Sequence, residues 1–304
     1  MTYPKVSIVI LNWNGASDTI ECLESLRDMS YPNYEVTVVD NASEGDDVRI
    51  LRERFGDYVY MIENDRNYGF AEGSNTGIRY ALENLNPDYV WLLNNDTVVN
   101  EEALTELVKT AESDKRIAIV GPKVCSYMTR NRIDFAGGMM NWLLGFGDII
   151  GHGETDVGQF DQPREVDYVT GSALLIKTGV VREIGLLDTR LFLFNEDVDW
   201  CLRAKKGGHN IVYTPGATVF HKHGASIRHV GERAVYYSHR NRILLMSRHA
   251  TKRQLILAFL PMFTRFIAAL GYYLAHGKLP WALAICRAYY DGIVSALFRK
   301  RKAM

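Results

Sequence analysis

The stretch Val6-Ser7-Ile8-Val9-Ile10-Leu11-Asn12-Trp13-Asn14-Gly15 is a continuous apolar, β-branched run that ends in turn-forming residues. A strand with one wet face alternates apolar and polar side chains, so this run reads as a strand buried on both faces. The pattern then repeats outward along the chain. Asp18 to Met29 carries apolar residues at Ile20, Leu23 and Leu26, a helical spacing. Tyr34 to Val39 is a second strand, ending at Asp40-Asn41-Ala42-Ser43. A helix over 46–55 and a third strand from Tyr58 to Ile62 follow. A Gly-rich connection, Asn67-Tyr68-Gly69-Phe70-Ala71-Glu72-Gly73-Ser74-Asn75, opens a helix to Leu85. Tyr89 to Leu93 is a fourth strand, ending at Asn94-Asn95-Asp96. Strands alternating with helices predict a mostly parallel α/β sheet with helices on both faces. Ligands bind such sheets beyond the carboxyl ends of the strands, where Asn12, Asp40 and Asp96 all fall.

The second half is less regular. Residues 126–170 are Gly-rich with scattered aromatics and read as loops and short antiparallel pieces. Val169 to Lys177 reads as a strand, followed by a helix near Val180. Leu191-Phe192-Leu193-Phe194 is strand-like, and Asn195-Glu196-Asp197-Val198-Asp199-Trp200-Cys201-Leu202-Arg203 begins a helix that stops at Gly207-Gly208. Short strands lead to His221, and a polar helix is expected near 232–248. Two apolar stretches close the chain, 254–275 and 279–298.

The chain of 304 residues has room for one large domain and an appendage, divided at 1–247 and 248–304. Its charge is uneven. Residues 248–304 hold ten Lys or Arg against one acid, Asp291, a net of +9; the overall −1 therefore leaves about −10 on residues 1–247. An acidic body with a basic, apolar tail excludes a folded basic groove for nucleic acid. It suits docking on an anionic membrane surface instead. The first apolar stretch contains Pro261 and Arg265, the second Arg287 and Asp291. Central charges are costly in a bilayer-spanning helix, so helices lying in the interface, or a re-entrant pair, fit better than full spans. The same helices could instead pack on the body or form a homo-oligomer. The four Cys residues are scattered without a CxxC pair, which predicts a reduced compartment without structural zinc. Met1 to Lys5 run directly into the first strand, so no secretory signal is expected.

Three groups could carry chemistry. Asp96, at a strand end, could bind a divalent cation bridging two phosphates; equally, Asn94-Asn95-Asp96 could be a turn capping the helix that follows. Glu196 and Asp197 could be first-turn acids complementing a helix dipole, with Asn195 as N-cap. Set between apolar segments, a carboxylate there also suits proton abstraction from a hydroxyl. His221 could complete a metal shell or be a structural histidine.

Taken in order, these strings resemble an inverting family 2 glycosyltransferase of the GT-A fold, over roughly residues 5–245. The resemblance rests on Val6 to Asn14, Val39 to Ser43, Asn67 to Asn75, Leu92 to Thr97, Thr170-Gly171-Ser172-Ala173, Asn195 to Arg203, and His221 with Gly224. The rhamnosyltransferase-like branch is the most similar. The resemblance implies sugar transfer from a UDP- or dTDP-linked donor to a hydroxyl, with the C-terminal tail pointing to a lipid-linked saccharide acceptor at the cytoplasmic face of the membrane. It implies that Asn12, Asp40, Arg66, Asn67, Asn95 and Asp96 line the donor nucleotide, with Asp40 on the base. It implies Asp96 and His221 as ligands of Mg²⁺ or Mn²⁺. Asp197 would be the catalytic base with Glu196 its partner, and Gly171, Trp200 and Arg203 would shape the acceptor and diphosphate side. Asn94 departs from the family pattern, which has Asp there, and the lost charge implies a weaker metal site. Two alternatives stay open: an inert carbohydrate-binding or scaffold protein at the membrane, and a nucleotidyltransferase. The latter normally needs a basic, Gly-rich loop after the first strand, and Asn12-Trp13-Asn14-Gly15 does not provide one.

Overall fold

The structure, a computed structural model, describes residues 3–222 and 231–302, with side chains up to residue 297. Gly224, and the side chains of Arg299 to Lys302, lie outside the described residues.

Four strands form the parallel half of one curled sheet: β1 (Val6–Asn12), β2 (Tyr34–Asp40), β3 (Val59–Glu63) and β4 (Tyr89–Asn94). Helices α1 (Ala16–Arg27), α2 (Asp47–Phe55) and α3 (Gly69–Tyr80) connect them, as the alternating pattern predicts. A π-turn, Ala81–Leu85, ends α3. The core between α1, α2 and this half-sheet holds Ile8, Ile10, Leu23, Leu26, Leu51 and Phe55, all at most 1% exposed. Fully burying side chains of this size stabilises by roughly 1.5–3 kcal/mol each.

The Gly-rich stretch is not a connection leading into α3; from Gly69 on it is the helix itself. A Cβ at Gly73 would lie 2.7 Å from Leu11, and one at Gly77 would lie 2.5 Å from Val9. The glycines therefore form the face along which α3 lies directly on β1. Glycine weakens a helix in isolation, and close packing on the strand offsets that cost.

The sheet continues through β5 (Thr97–Val99), helix α4 (Ala103–Ser113) and β6 (Ile117–Ser126), a strand that the sequence analysis did not identify. Further on come β7 (Ile133–Phe135), the hairpin strands β8 (Gly138–Asn141) and β9 (Phe146–Ile149), β10 (Arg164–Glu165), β11 (Ala173–Lys177), α5 (Thr178–Ile184), α6 (Glu196–Lys206) and β12 (Asn210–His221). The order is β10-β12-β6-β11-β4-β1-β2-β3. β11 runs antiparallel to both β4 and β6, so this half of the sheet is mixed. β12 is one long strand with an irregularity between Thr214 and Thr218, where short strands were expected. β11 starts at Ala173 because Thr170 to Ser172 turn.

The run Leu191 to Phe194 is not a strand. A 3₁₀ turn covers Thr189–Leu191, and Phe192, Phe194 and Asn195 have φ of 46°, 70° and 67°. Composition suggested extension, but the backbone here is left-handed.

Two compact units are present. The first comprises Met1–Met139, Ile149–Thr189 and Glu196–Ser226; the second comprises Met140–Asp148, Arg190–Asn195 and Ile227–Met304. The second holds α7 (Glu232–His249), α8 (Lys252–Ala275) and α9 (Leu279–Lys302), and α9 packs against both α7 and α8. The boundary at 247 read from charge thus falls inside α7, which groups with the helices after it. A capping box at Thr251 and Gln254 starts α8. Among the described residues α8 is the one helix long and apolar enough to cross a membrane, with mean hydropathy 1.7. Its Ile256, Phe259 and Leu260 are exposed, while Arg265 lies over the Phe146 ring at 3.8 Å and donates to the Leu144 carbonyl.

Candidate active site

Strand register brings the polar strand ends level. Asn12 pairs with Asp40, and Leu11 with Asn94. At this edge a buried relay of side chains runs across three elements. Asn95 Nδ2 donates to Thr19 Oγ1 at 3.0 Å, Thr19 Oγ1 donates to Asn12 Oδ1 at 2.7 Å, and Asn12 Nδ2 donates to Asp40 Oδ1 at 2.8 Å. Ser43 closes it, its backbone N–H and its hydroxyl donating to Asp40 at 2.9 and 2.6 Å. Asp40 therefore uses three of about four acceptor positions internally and keeps one, on Oδ2. Asp47, in the first turn of α2, accepts from Asn12 Nδ2 and from the backbone N–H groups of Gly15 and Ala16, at 3.0, 2.8 and 3.0 Å. It satisfies donors at the start of α1 that would otherwise lack partners. Gly15 is required by close approach, since a Cβ would lie 2.6 Å from Asn95 Nδ2.

Asn12 is thus fully buried and wholly engaged by protein partners. It braces the edge formed by the strand ends, and its amide is spent on protein partners rather than facing a ligand space. Asn95, 7% exposed, is tied to Thr19 and Gly15 in the same way. Arg66 and Asn67 lie along the segment before α3. Asn67 Oδ1 accepts from Asn41 Nδ2 and the Gly69 N–H, and exposed Arg66 stacks over Tyr68 at 4.8 Å. Asn41 anchors this segment, accepting from Asn64 Nδ2 and the Tyr68 N–H.

Asp96 and His221 meet because β5 pairs with the end of β12, Thr97 opposite His221. The His221 Nε2 to Asp96 Oδ1 distance is 3.1 Å. Two cis ligands at about 2.1 Å in an octahedral shell are about 3.0 Å apart, so the pair has the spacing of two metal ligands. Asn94 Oδ1 beside them is buried and has no hydrogen-bond partner among the described residues. It is an oxygen donor of the kind a hard cation takes, although neutral. No cluster of three or more His, Cys, Asp or Glu suited to a metal occurs among the described residues. Any cation would take its remaining ligands from substrate phosphates and water, the usual arrangement for Mg²⁺.

The other half of the site starts at α6. Asp197 Oδ2 accepts from the Gly171 N–H at 2.7 Å, and Oδ1 accepts from the Val198 N–H at 2.8 Å. The turn that holds it also holds β4, because the Asn94 N–H donates to the Ser172 carbonyl at 2.9 Å. Burial pushes the Asp197 carboxyl above its ordinary range, and the backbone N–H bonds partly oppose that shift. Glu196 is 5% exposed, and its Oε2 has no hydrogen-bond partner among the described residues. Burial first, then the charges of Asp197 and Asp199, push its carboxyl well above the usual value. Side by side, the two divide roles: Glu196 favours holding a proton, and Asp197 is better furnished to carry the charge.

Trp200 and Arg203 do not face a ligand space, contrary to expectation. Trp200 is fully buried and its Nε1 donates to the Gly185 carbonyl at 2.8 Å. Arg203 donates to Asp199 and to the carbonyls of Ile184, Gly185 and Leu186. Both clamp the 184–187 loop, which Asn75 holds from α3 through the Leu187 backbone. The resemblance assigned them to the acceptor and diphosphate side, but their donors are spent inside the protein. Thr19, Asn41, Asp47 and Asn75 were missed as individual roles. The only sequence signal for Asp47 was an acid in a predicted first turn.

Comparison with known proteins bears on the family and the fold. A family model described as "Glycosyltransferase like family 2" matches residues 4–242. The low-salt glycan biosynthesis hexosyltransferase Agl10 of Haloferax volcanii is 27% identical over 79% of this chain and 74% of its own length. The rhamnosyltransferase WbbL of Escherichia coli K12 is 25% identical over 71% of this chain and 83% of its own. The structure of the Pyrobaculum calidifontis mannosyltransferase PcManGT with GDP-Man and Mn²⁺ superposes with a TM-score of 0.60. That match has 17% identity and covers 99% of this chain and 89% of the other, which establishes a shared GT-A fold.

Proposed function

We propose, from the premise that this chain belongs to the glycosyltransferase-like family 2 and is a glycosyltransferase, that it transfers a sugar by a single inverting displacement with Asp197 as base. The donor is a nucleotide-diphosphate sugar, UDP- or dTDP-linked, and the acceptor is a hydroxyl of a lipid-linked saccharide. Relatives named as hexosyl- and rhamnosyltransferases support the reaction class.

One observation carries the reading. The strand end that leads to Asp96 and the helix start that bears Asp197 are attached to the same turn, through Ser172 and Gly171. Donor and base functions so placed share one sheet edge. In the displacement, Asp197 accepts the proton of the acceptor hydroxyl as that oxygen bonds to the anomeric carbon and the nucleotide diphosphate departs on the opposite face. A carboxylate held above its ordinary range is a better proton acceptor near neutral pH than an exposed one. Asp40, with its remaining acceptor position, receives a donor N–H of the base. Asp96 and His221 would hold Mg²⁺ or Mn²⁺, which when bound neutralises charge on the departing diphosphate.

The purified chain, supplied with UDP-, dTDP- and GDP-sugars, should release nucleotide diphosphate from one donor with Mn²⁺ or Mg²⁺ and lose that release on chelation. Donor turnover indifferent to chelator would overturn the metal assignment, and failure to bind any of these donors would overturn the function.

For residues 248–304 the proposed surroundings are the cytoplasmic face of the membrane, peripherally or as a re-entrant pair. The exposed apolar side of α8 and the +9 charge of the segment support this. Sedimentation should take the full chain down with anionic vesicles and release it at high salt. Equal binding to neutral vesicles would count against the electrostatic part.

A further inference from the structure

Asn241, in the middle of α7, is fully buried, and both ends of its side-chain amide are engaged. Its Nδ2 donates to the carbonyls of Leu191, Leu193 and Phe194 at 2.6, 2.7 and 2.8 Å. Two hydrogens serve three acceptors, so one is shared. Its Oδ1 accepts from Arg240 Nε at 2.9 Å and Nη2 at 2.7 Å. Guanidinium can only donate and carbonyls can only accept, so this arrangement fixes which way the amide faces. Arg240 Nη2 also donates to the Arg190 carbonyl, and Tyr237 stacks on Phe192 at 4.8 Å.

The backbone gripped in this way is the left-handed one. Phe192, Phe194 and Asn195 all have positive φ, and for a bulky residue such as Phe that conformation is unfavourable and persists only when its surroundings impose it. The chain leaves this grip at Asn195, and the next two residues are Glu196 and Asp197. Asp197 therefore stands two residues beyond the gripped turn along the chain.

We propose that Asn241 is a positioning residue for the candidate base: its side-chain amide holds the left-handed 192–195 turn that sets where Asp197 sits. This rests on the assignment of Asp197 as base, but the clamp can be tested without it.

The test uses the full chain and reads local geometry and turnover separately. Asn241→Asp keeps the shape but turns a donor into an acceptor facing three carbonyls; Asn241→Ala removes the grip. Both should speed hydrogen exchange at the Gly171 and Val198 amides, the two that bond Asp197, by tenfold or more, with Val9 and Leu92 in the sheet unchanged. Turnover should fall tenfold or more in kcat, with UDP or dTDP affinity within twofold of the parent. Arg240→Lys, a milder change in case the others fold poorly, should give the same signature at smaller size. Asn195→Gly in the Asn241→Ala background should recover several-fold of the lost kcat, because glycine adopts the left-handed turn without help. Unchanged exchange at Gly171 and Val198, or exchange raised equally throughout the sheet, would overturn the proposal. Asp197→Asn measured alongside separates the two readings: transfer surviving in that variant removes the base assignment, while the exchange result still decides the clamp.

Discussion

Along the ends of β1, β2 and β4, Asn95, Thr19, Asn12, Asp40 and Ser43 form one bonded relay, and the left-handed residues there, Asn14 and Ala42, stand apart from each other. From Phe192 to Asp197 the construction is the reverse. Three of four consecutive residues are left-handed, and they lead straight to the buried carboxyl of Glu196, whose Oε2 has no partner among the described residues. The first region is rigid because its side chains satisfy one another. The second is held in an unfavourable shape from outside, by α7. A site for a large, charged nucleotide gains from a cradle that does not rearrange on binding. A base gains from the opposite, since its proton affinity rises only where solvation has been withheld. The partnerless oxygen belongs to Glu196, beside the proposed base, and the run of left-handed residues directly precedes both carboxyls.

The largest effect expected from breaking this contrast is at Asp197. Asp197→Asn preserves the shape but cannot take a proton, and its amide nitrogen cannot accept one of the two backbone N–H bonds. Sugar transfer should fall by about 10²–10⁴, the usual contribution of general-base catalysis, with UDP or dTDP affinity unchanged in a calorimetric titration. Transfer within a few-fold of the parent would mean that the strained segment is not the catalytic one.

A smaller effect is expected from the relay. Thr19→Val is nearly isosteric; it leaves Asn12 Oδ1 without the Thr19 donor in a buried setting and Asn95 Nδ2 with only the longer bond to the Gly15 carbonyl. The loss should be about 1–3 kcal/mol, read from the shift of the urea midpoint. Nucleotide affinity should weaken with it, because Asn12 orients Asp40. A lower midpoint with unaltered nucleotide binding would show that the relay supports the fold without preparing the donor site.

The two regions also differ in how far they could be read from sequence. The strand ends were legible because buried strands are apolar and their ends are marked by polar turn residues, so Asn12, Asp40 and Asp96 could be placed by punctuation alone. Thr19 was not, because a threonine on a helix carries no sign of the two amides it will bridge. Leu191 to Phe194 misled because apolar, β-prone composition suggests extension, whereas the conformation is imposed by Asn241, nearly fifty residues later. The same long-range dependence hid the roles of Trp200 and Arg203. Their spacing from Asp197 marks the helix, but which carbonyls they reach depends on the fold of the 184–187 loop. The glycines over 69–77 misled in a different way, since only the facing strand explains why a helix should contain them.

The smallest expected effect sharpens the comparison within the strained region itself. Glu196 and Asp197 are neighbours with carboxyls both raised by burial, yet Asp197 accepts from the Gly171 and Val198 N–H groups, whereas Glu196 is helped by its own backbone N–H and its Oε2 has no partner among the described residues. If Glu196 holds its proton in the working enzyme, Glu196→Gln replaces an uncharged acid with an uncharged amide of the same shape and should retain transfer within a few-fold. Stability should then report the titration. A carboxyl raised in the folded state binds a proton more tightly there than in the unfolded chain. The stability it contributes is therefore full below its ordinary value of 4.5 and is lost as pH rises through the raised one. The parent should accordingly lose Tm from mildly acidic to alkaline pH. Glu196→Gln should match it near pH 4 and become the more stable of the two as pH rises, in thermal scans across that range. Parallel curves for parent and variant would show that Glu196 is ionised at little cost, and the division of roles between the two carboxyls would fall with it.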